Sequence, residues 1–161
     1  MTQRPLWAPW RLSYVRQHKP PDGCPFCMAA AGENEPLVIA RGDSCFVMLN
    51  RFPYASGHLM VLPARHVGDL DLLDHDEMTE AMAFVQHSVR ALKEVMSPNG
   101  FNVGLNLGQA AGAGIDEHIH LHVVPRWLGD TNFMPILADT HVLPQALAAT
   151  RDELLARWPD V

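Results

Sequence analysis

The sequence predicts a single-domain α+β protein with a mainly antiparallel sheet, one long helix and a C-terminal helix. Three observations support this fold class. The length of 161 residues is that of one domain, several short β-favouring runs follow one another along the chain, and one long amphipathic segment interrupts them. Strands in series around one long helix are typical of antiparallel α+β folds.

The elements follow in chain order. Residues 1–23, rich in Pro, Trp and Arg, are predicted to form an irregular arm. The Cys-Pro-Phe-Cys motif at residues 24–27 then leads into a short apolar segment that ends at Gly32. Short apolar or β-branched runs bounded by turn residues predict strands. The predicted strands are residues 37–40, 45–49, 58–62, 100–107 and 119–124.

Residues 74–96 form the strongest helical pattern in the chain. Asp74 can cap this helix, and Glu77 stands three residues later in capping-box register. Apolar side chains then recur at helical spacing, and we interpret them as a stripe that packs in the core. They are Met78, Met82, Val85, Val89, Leu92 and Met96. A C-terminal helix is predicted over 143–158, with Pro144 suited to its first turn.

Composition excludes several classes of function. A net charge of -6 argues against sequence-independent binding of long nucleic acids, which requires clustered Lys and Arg. The N-terminus lacks the apolar core of a signal peptide, and no stretch approaches the roughly 18 apolar residues of a membrane span. Three cysteines do not make a secreted disulfide framework. We therefore expect a soluble, cytoplasmic protein that binds neither nucleic acid nor membrane.

Three histidines alternate in one predicted strand: His118, His120 and His122. Side chains alternate across a strand, so the three imidazoles should share one face, with neighbours roughly 6.6 Å apart. Imidazoles this close hinder one another's protonation, which keeps a neutral nucleophile available near pH 7. A neutral imidazole can attack phosphorus, but alternating histidines are also good zinc ligands. Spacing alone leaves the nucleophile and the catalytic zinc site equally supported.

A glycine-rich segment over residues 106–114 lies directly before these histidines. Its glycines, Gly108, Gly112 and Gly114, would let backbone N–H groups approach phosphate oxygens, with Asn106 beside them. A glycine loop alone also fits a simple turn. Followed at once by three histidines, it predicts a phosphate pocket, for which Arg126 is a further candidate.

The chain resembles the histidine triad (HIT) family of nucleotide hydrolases and transferases. The likeness lies in His118-Ile-His120-Leu-His122-Val-Val and in the upstream segment Asn50-Arg-Phe-Pro-Tyr-Ala-Ser-Gly-His58-Leu-Met-Val-Leu-Pro63. It implies a HIT-like fold with its core over 24–126, inside a single domain of residues 1–161 that ends in an extension, 127–161.

The resemblance also implies roles for single residues. His120 corresponds to the family's nucleophile, His122 to the histidine that contacts the α-phosphate, and His118 to the one that supports the nucleophile's orientation. Asn50 matches the position that contacts the ribose, and His58 is implied to lie near the phosphate site.

Segments 6–11 and 124–134 resemble the bacterial diadenosine tetraphosphate phosphorylase-like subgroup. That likeness implies a substrate pair of diadenosine tetraphosphate and phosphate, products ATP and ADP, no cofactor in the chemical step, and a homodimer. Gly114 is a departure, because many family hydrolases carry Gln there. The alternative is a hydrolase of dinucleoside polyphosphates or nucleoside phosphoramidates.

Cys24 and Cys27 have the spacing of a zinc knuckle, but no second pair follows nearby. Some relatives complete such a site with two distant histidines, and the matching positions here are His66 and His118. The resemblance thus implies a structural zinc; the alternative is a reduced, buried thiol pair. Two other functions stay open, a zinc metallohydrolase that uses the three histidines as ligands and a non-catalytic nucleotide-binding module.

Overall fold

The structure is a computed structural model that describes residues 23–32, 35–130 and 145–158. Some predicted features lie outside these residues. They are the N-terminal arm up to residue 22, segment 6–11, residues 131–134 and Pro144. Within the described residues, no helix combines the length and the apolar character that crossing a membrane requires.

Five strands form one antiparallel sheet in the order β1-β2-β3-β5-β4. The strands are β1 (Val38–Arg41), β2 (Cys45–Leu49), β3 (Leu59–Pro63), β4 (Gly100–Leu105) and β5 (Leu121–Arg126). The helices are α1 (Pro25–Ala30), α2 (His75–Met96) and α3 (Leu147–Leu155), with 3-10 turns at Leu70–Leu72 and Gln109–Ala111. The predicted α+β class is confirmed.

The centre of the sheet is the core of the protein. Every residue of β2 and β3 is buried, so both faces of these strands are covered. Helix α2 packs on β2, β3 and β5, and α3 packs on α2 and β1. The crossover that places β5 beside β3 matters for the site, because it pairs Met60 with His122.

Helix α2 begins as predicted, and Val85 and Leu92 of the predicted stripe are buried. The capping box between Asp74 and Glu77 is present. Met78 and Met82, however, are 48% and 52% exposed, so their assignment to the core is wrong. The buried face instead consists of Ala81, Phe84, Val85, Ser88, Ala91 and Leu92, together with Glu77. Small Ala and Ser side chains on this face let the helix lie close to the sheet, while the longer methionines point away.

The last strand begins later than predicted. Strand β5 starts at Leu121, so His118 and His120 precede it and only His122 belongs to it. The backbone N–H of Ile119 donates to the carbonyl of Val67 at 2.7 Å, outside the strand ladders. Strand β4 ends two residues earlier than predicted, and α3 is shorter than the predicted C-terminal helix.

Candidate active site and metal-binding cluster

The three histidines converge where β5 begins, and all three are buried. Their exposed fractions are 0% for His118, 7% for His120 and 8% for His122. The His120 and His122 ring centroids lie 4.9 Å apart at an interplanar angle of 81°. His122 belongs to β5, whereas His120 stands directly before the strand.

His58 is the partner that fixes the tautomer of His122. The backbone N–H of Tyr54 donates to Nδ1 of His58 at 3.1 Å, so the His58 proton must be on Nε2. That Nε2 lies 2.9 Å from Nδ1 of His122, which therefore accepts. The proton of His122 is then on its Nε2, a buried atom without a hydrogen-bond partner among the described residues. This N–H is a free donor for a ligand oxygen.

His120 is held in the opposite tautomer. Its Nδ1 lies 2.9 Å from the carbonyl oxygen of His118. A carbonyl can only accept, so Nδ1 carries the proton and Nε2 keeps its lone pair. A buried, neutral imidazole with a free Nε2 lone pair is suited to attack an electrophile such as phosphorus.

His118 turns its other nitrogen toward two cysteines. Its Nε2 donates to the carbonyl of Pro63 at 2.9 Å, which leaves the lone pair on Nδ1. The Sγ atoms of Cys24 and Cys27 lie 3.4 Å and 3.6 Å from this Nδ1. Nδ1 of His66 lies 3.3 Å from the Cys27 sulfur. All four donor atoms lie within 4.8 Å of one another, and we call these four residues the metal cluster.

The metal cluster fits zinc. Two sulfurs and two imidazole nitrogens are a common structural donor set for this ion. Tetrahedral zinc with its usual bond lengths separates a sulfur from a nitrogen by about 3.5 Å. The three S–N distances within the cluster agree with that spacing. Of the three triad histidines, only His118 belongs to a potential metal site in the described part of the chain, which does not support a zinc ion held by all three.

Loop packing brings His66 to His118 across the fold. Gly68 permits the approach, because a Cβ there would stand 2.7 Å from the carbonyl oxygen of Asp116. The neighbouring Arg65 ties the loop to α2 through an ion pair with Glu77, which lies in the capping box and is almost fully buried. The predicted ligands are therefore assembled by two loops and α1.

Burial keeps the imidazoles neutral. Desolvation, helped by neighbouring imidazoles, lowers the pKa of His58 to about 3 and the pKa of His122 to about 4. Desolvation also lowers the pKa of His118 to about 4 and lowers the pKa of His120 below its ordinary value. In the absence of a metal, burial and the neighbouring Cys24 raise the pKa of the Cys27 thiol.

The glycine segment precedes the triad in sequence, and Asn50 is bonded to His58. Residues 106–114 join the end of β4 to His118, with Gly108 and Gly112 at φ angles of 76° and 92° and most residues exposed. The backbone N–H of Asn50 donates to the carbonyl of His58 at 2.9 Å, so Asn50 lies beside the triad. Its Oδ1 accepts from Phe52 N–H, which leaves the amide N–H groups for a ligand.

Arg126 does not join the predicted phosphate pocket. It pairs with Gly100 near the opposite end of β5 from His122. Its guanidinium donates to Asp130 and to Asn102. Its contacts are therefore made away from the triad.

Two aromatic residues at the site were missed by sequence reasoning. The Tyr54 ring lies 4.6 Å from the His58 ring and 5.7 Å from that of His122. The Phe26 ring lies 5.4 Å from His118 and 5.3 Å from His120. The position of Phe26 between two cysteines was the one available signal for it.

Comparison with known proteins agrees with this geometry. Residues 31–127 match the family model of the HIT domain. An AP-4-A phosphorylase of Mycobacterium tuberculosis is 44% identical in an alignment of 162 positions. The alignment covers 95% of this chain and 83% of that protein. A HIT-like protein of Methanocaldococcus jannaschii is 31% identical, over 66% of this chain and 81% of that one. A zinc-bound histidine triad family protein from Mycobacterium smegmatis superimposes with a TM-score of 0.70 at 28% identity, covering 84% of this chain and 93% of that one.

Replacement of His58 should reduce the acid sensitivity of the fold. His58 has a pKa of about 3 when folded, against an ordinary value of 6.5, so the unfolded chain binds a proton that the folded chain does not. This contribution is fully present above pH 6.5 and is lost as the pH falls, by about 1.4 kcal/mol per pH unit between about pH 6 and 4. In His58→Asn, the slope of unfolding free energy against pH should be smaller by that amount. Urea denaturation at several pH values, with both proteins at equal metal content, measures this slope. Equal slopes in the unaltered protein and in His58→Asn would mean that His58 is charged in the folded protein over this pH range.

Proposed function

This chain belongs to the HIT domain family, and we propose that it transfers a nucleotidyl group through a covalent intermediate on His120. The proposed reaction is phosphorolysis of diadenosine tetraphosphate to ATP and ADP. One observation carries the proposal: the hydrogen bonds of His118 and His58 leave a free lone pair on His120 beside a free donor on His122. A nucleophile beside an oxyanion donor is what phosphoryl chemistry requires.

The reaction proceeds by two displacements. Nε2 of His120 attacks the α-phosphorus, an N–P bond forms, and the bridging P–O bond breaks with ATP as the leaving group. The N–H of His122 donates to a non-bridging oxygen, whose charge increases in the transition state. An oxygen of inorganic phosphate then attacks the same phosphorus, the N–P bond breaks, and ADP leaves with His120 restored.

We also propose the substrate contacts that the resemblance implies. Asn50 would bind the ribose with its free amide N–H groups, and His58 would act through His122. The backbone N–H groups of the segment from Asn106 through Gly108 and Gly112 to Gly114 would hold the polyphosphate. The choice of phosphate over water rests on the similarity to the M. tuberculosis AP-4-A phosphorylase. Hydrolysis of the same substrates, or of nucleoside phosphoramidates, is the second candidate because the first displacement would be identical.

Product analysis separates these reactions. The purified protein is incubated with diadenosine tetraphosphate, with and without inorganic phosphate, and the nucleotides are resolved by chromatography. We expect ATP and ADP in equal amounts, and only when phosphate is present. AMP with ATP in both conditions would identify a hydrolase instead.

A matched pair of histidine variants tests the nucleophile. His120→Ala should lower turnover by at least about a thousandfold, because no other group can form the N–P bond, while nucleotide affinity stays within about threefold. His75→Ala, an exposed position at the start of α2, is the control and should retain full turnover. Normal turnover in His120→Ala would contradict the mechanism.

We also propose that the metal cluster binds a structural zinc ion. The ion would link α1 to the loop of His66 and to His118, and it would take no part in bond making. The purified chain should contain about one zinc ion. Cys27→Ser should lose most of it, whereas Cys45→Ser, a buried cysteine of β2 outside the cluster, should keep it. Metal analysis of both variants measures this, and equal zinc contents would place the ion elsewhere.

We further propose that the protein forms a homodimer. Strand β4 ends the sheet order, and its residues Asn102, Val103 and Gly104 are exposed. An exposed edge strand is a template for pairing with a second chain. Light scattering should therefore give twice the chain mass of 17.9 kDa. Val103→Lys should shift the mass toward the monomer because it places a charge at that edge; a monomeric unaltered protein would contradict the proposal.

A further inference from the structure

We propose that Phe26 positions the His120 ring for attack, and that the metal cluster controls this orientation by fixing Phe26 and the His118 carbonyl together. The inference rests on the proposed role of His120 as the nucleophile. The phenyl ring of Phe26 has no group that can make or break a bond in the reaction, so Phe26 is a positioning residue.

Phe26 stands between the two cysteine ligands. Cys24 is the N-cap of α1, Pro25 begins the helix, and Cys27 follows Phe26 directly. The Phe26 side chain is 8% exposed, and its ring packs on His120 at 51° and on His118 at 74°. One aromatic ring therefore contacts both the proposed nucleophile and a metal ligand. Tilted and edge-on contacts of this kind favour particular ring orientations.

The His120 ring is thus held at two points. On one side its Nδ1–H donates to the carbonyl of His118, and on another side it packs against Phe26. Both points are linked to the metal cluster, since His118 is a member of it and Phe26 lies between two other members, whereas the neighbouring His122 ring is outside it. A change in the cluster would reach the His120 ring through both contacts.

Helix α1 depends on the cluster at its N-terminal end. It has six residues and no side-chain cap, and a helix this short is marginal without tertiary contacts. Arg41 holds its C-terminal end by donating to the carbonyls of Ala29 and Ala30. Among the described residues, no side chain makes a hydrogen bond of this kind to the backbone at the end that carries Cys24 and Phe26. That end is instead fixed by the metal cluster and by the packing of Phe26. Loss of the metal should loosen this end first.

The cluster is also accessible from solvent. His66 is exposed, Cys24 and Cys27 are half-buried, and a cavity of about 290 Å³ lies against Cys24 and His66. A chelator can therefore reach the ion without global unfolding. Metal occupancy would then set the fraction of chains whose His120 is correctly oriented.

The first test compares two identical substitutions in zinc-loaded protein. Phe26→Leu removes the ring at the site, and Phe84→Leu removes a more deeply buried ring on α2. The rate of single-turnover labelling of His120 by diadenosine tetraphosphate should fall at least tenfold in Phe26→Leu. Its zinc content and its affinity for AMP should stay within twofold. In Phe84→Leu, the labelling rate, the zinc content and the affinity for AMP should all stay within twofold of the unaltered protein. Equal rates in the two variants, or a loss of rate that follows a loss of zinc, would overturn the positioning role.

A second test does not need turnover. The Nδ1 proton of His120 can be observed by NMR in protein labelled with ¹⁵N-histidine, and its hydrogen bond to His118 should slow its exchange. We expect exchange at least tenfold faster in Phe26→Leu and in unaltered protein after chelation. The Nε2 proton of His58, bonded to His122, is the internal reference and should not change.

The two tests separate the inference from the proposed function. If diadenosine tetraphosphate labels no variant, the proposed reaction fails, and the NMR measurement still decides the inference. A His120 proton that is equally protected in all samples, or unprotected in the unaltered protein, would overturn the control of orientation by the cluster.

Discussion

Burial of the imidazoles is the constraint on which the rest of the site depends. A charged imidazole is costly to bury, so His58, His118, His120 and His122 are neutral near pH 7. A neutral imidazole has one donor and one acceptor, and the choice between its two nitrogens follows from its neighbours. Here backbone groups make that choice: a carbonyl for His118 and for His120, and the Tyr54 N–H for His58. The tautomers of the proposed nucleophile and of the proposed donor are therefore set without a charged side chain.

The sheet order makes these contacts between distant parts of the sequence. Strand β3 lies beside β5, so His58, directly before β3, meets His122 although 64 residues separate them. Because β3 and β5 are adjacent, the carbonyl of Pro63, the last residue of β3, also accepts a hydrogen bond from His118. The hydrogen bond of Ile119 to Val67 then pulls the chain before β5 toward the loop that carries His66. The pairing of β3 with β5 thus positions residues of both the triad and the metal cluster.

Local patterns predicted the elements, and the tertiary contacts account for the differences. The capping box of α2 is a contact between residues three apart, so its position could be predicted from the sequence. The exposure of Met78 and Met82 depends on how α2 lies on the sheet, which helical spacing alone does not determine. Alternation placed the three histidines in one strand, but only His122 belongs to β5, and the chain before it is held by a loop bond that no local pattern contains. The proposed ligands His66 and His118 were implied by a resemblance, whereas the one signal for Phe26 was its position between two cysteines, which does not show where its ring packs.

The side chain and the backbone carbonyl of His118 make different contacts. Its imidazole faces the cysteines, while its backbone carbonyl accepts a hydrogen bond from the Nδ1–H of His120. Substitution of the side chain would keep the carbonyl but would remove a ligand, and the backbone that holds the carbonyl would then relax. A loss of activity in such a variant would not show that His118 contacts the substrate. Residues that share one network give non-additive effects, so His118 and Phe26 should be compared as single and double substitutions before either is assigned a separate contribution.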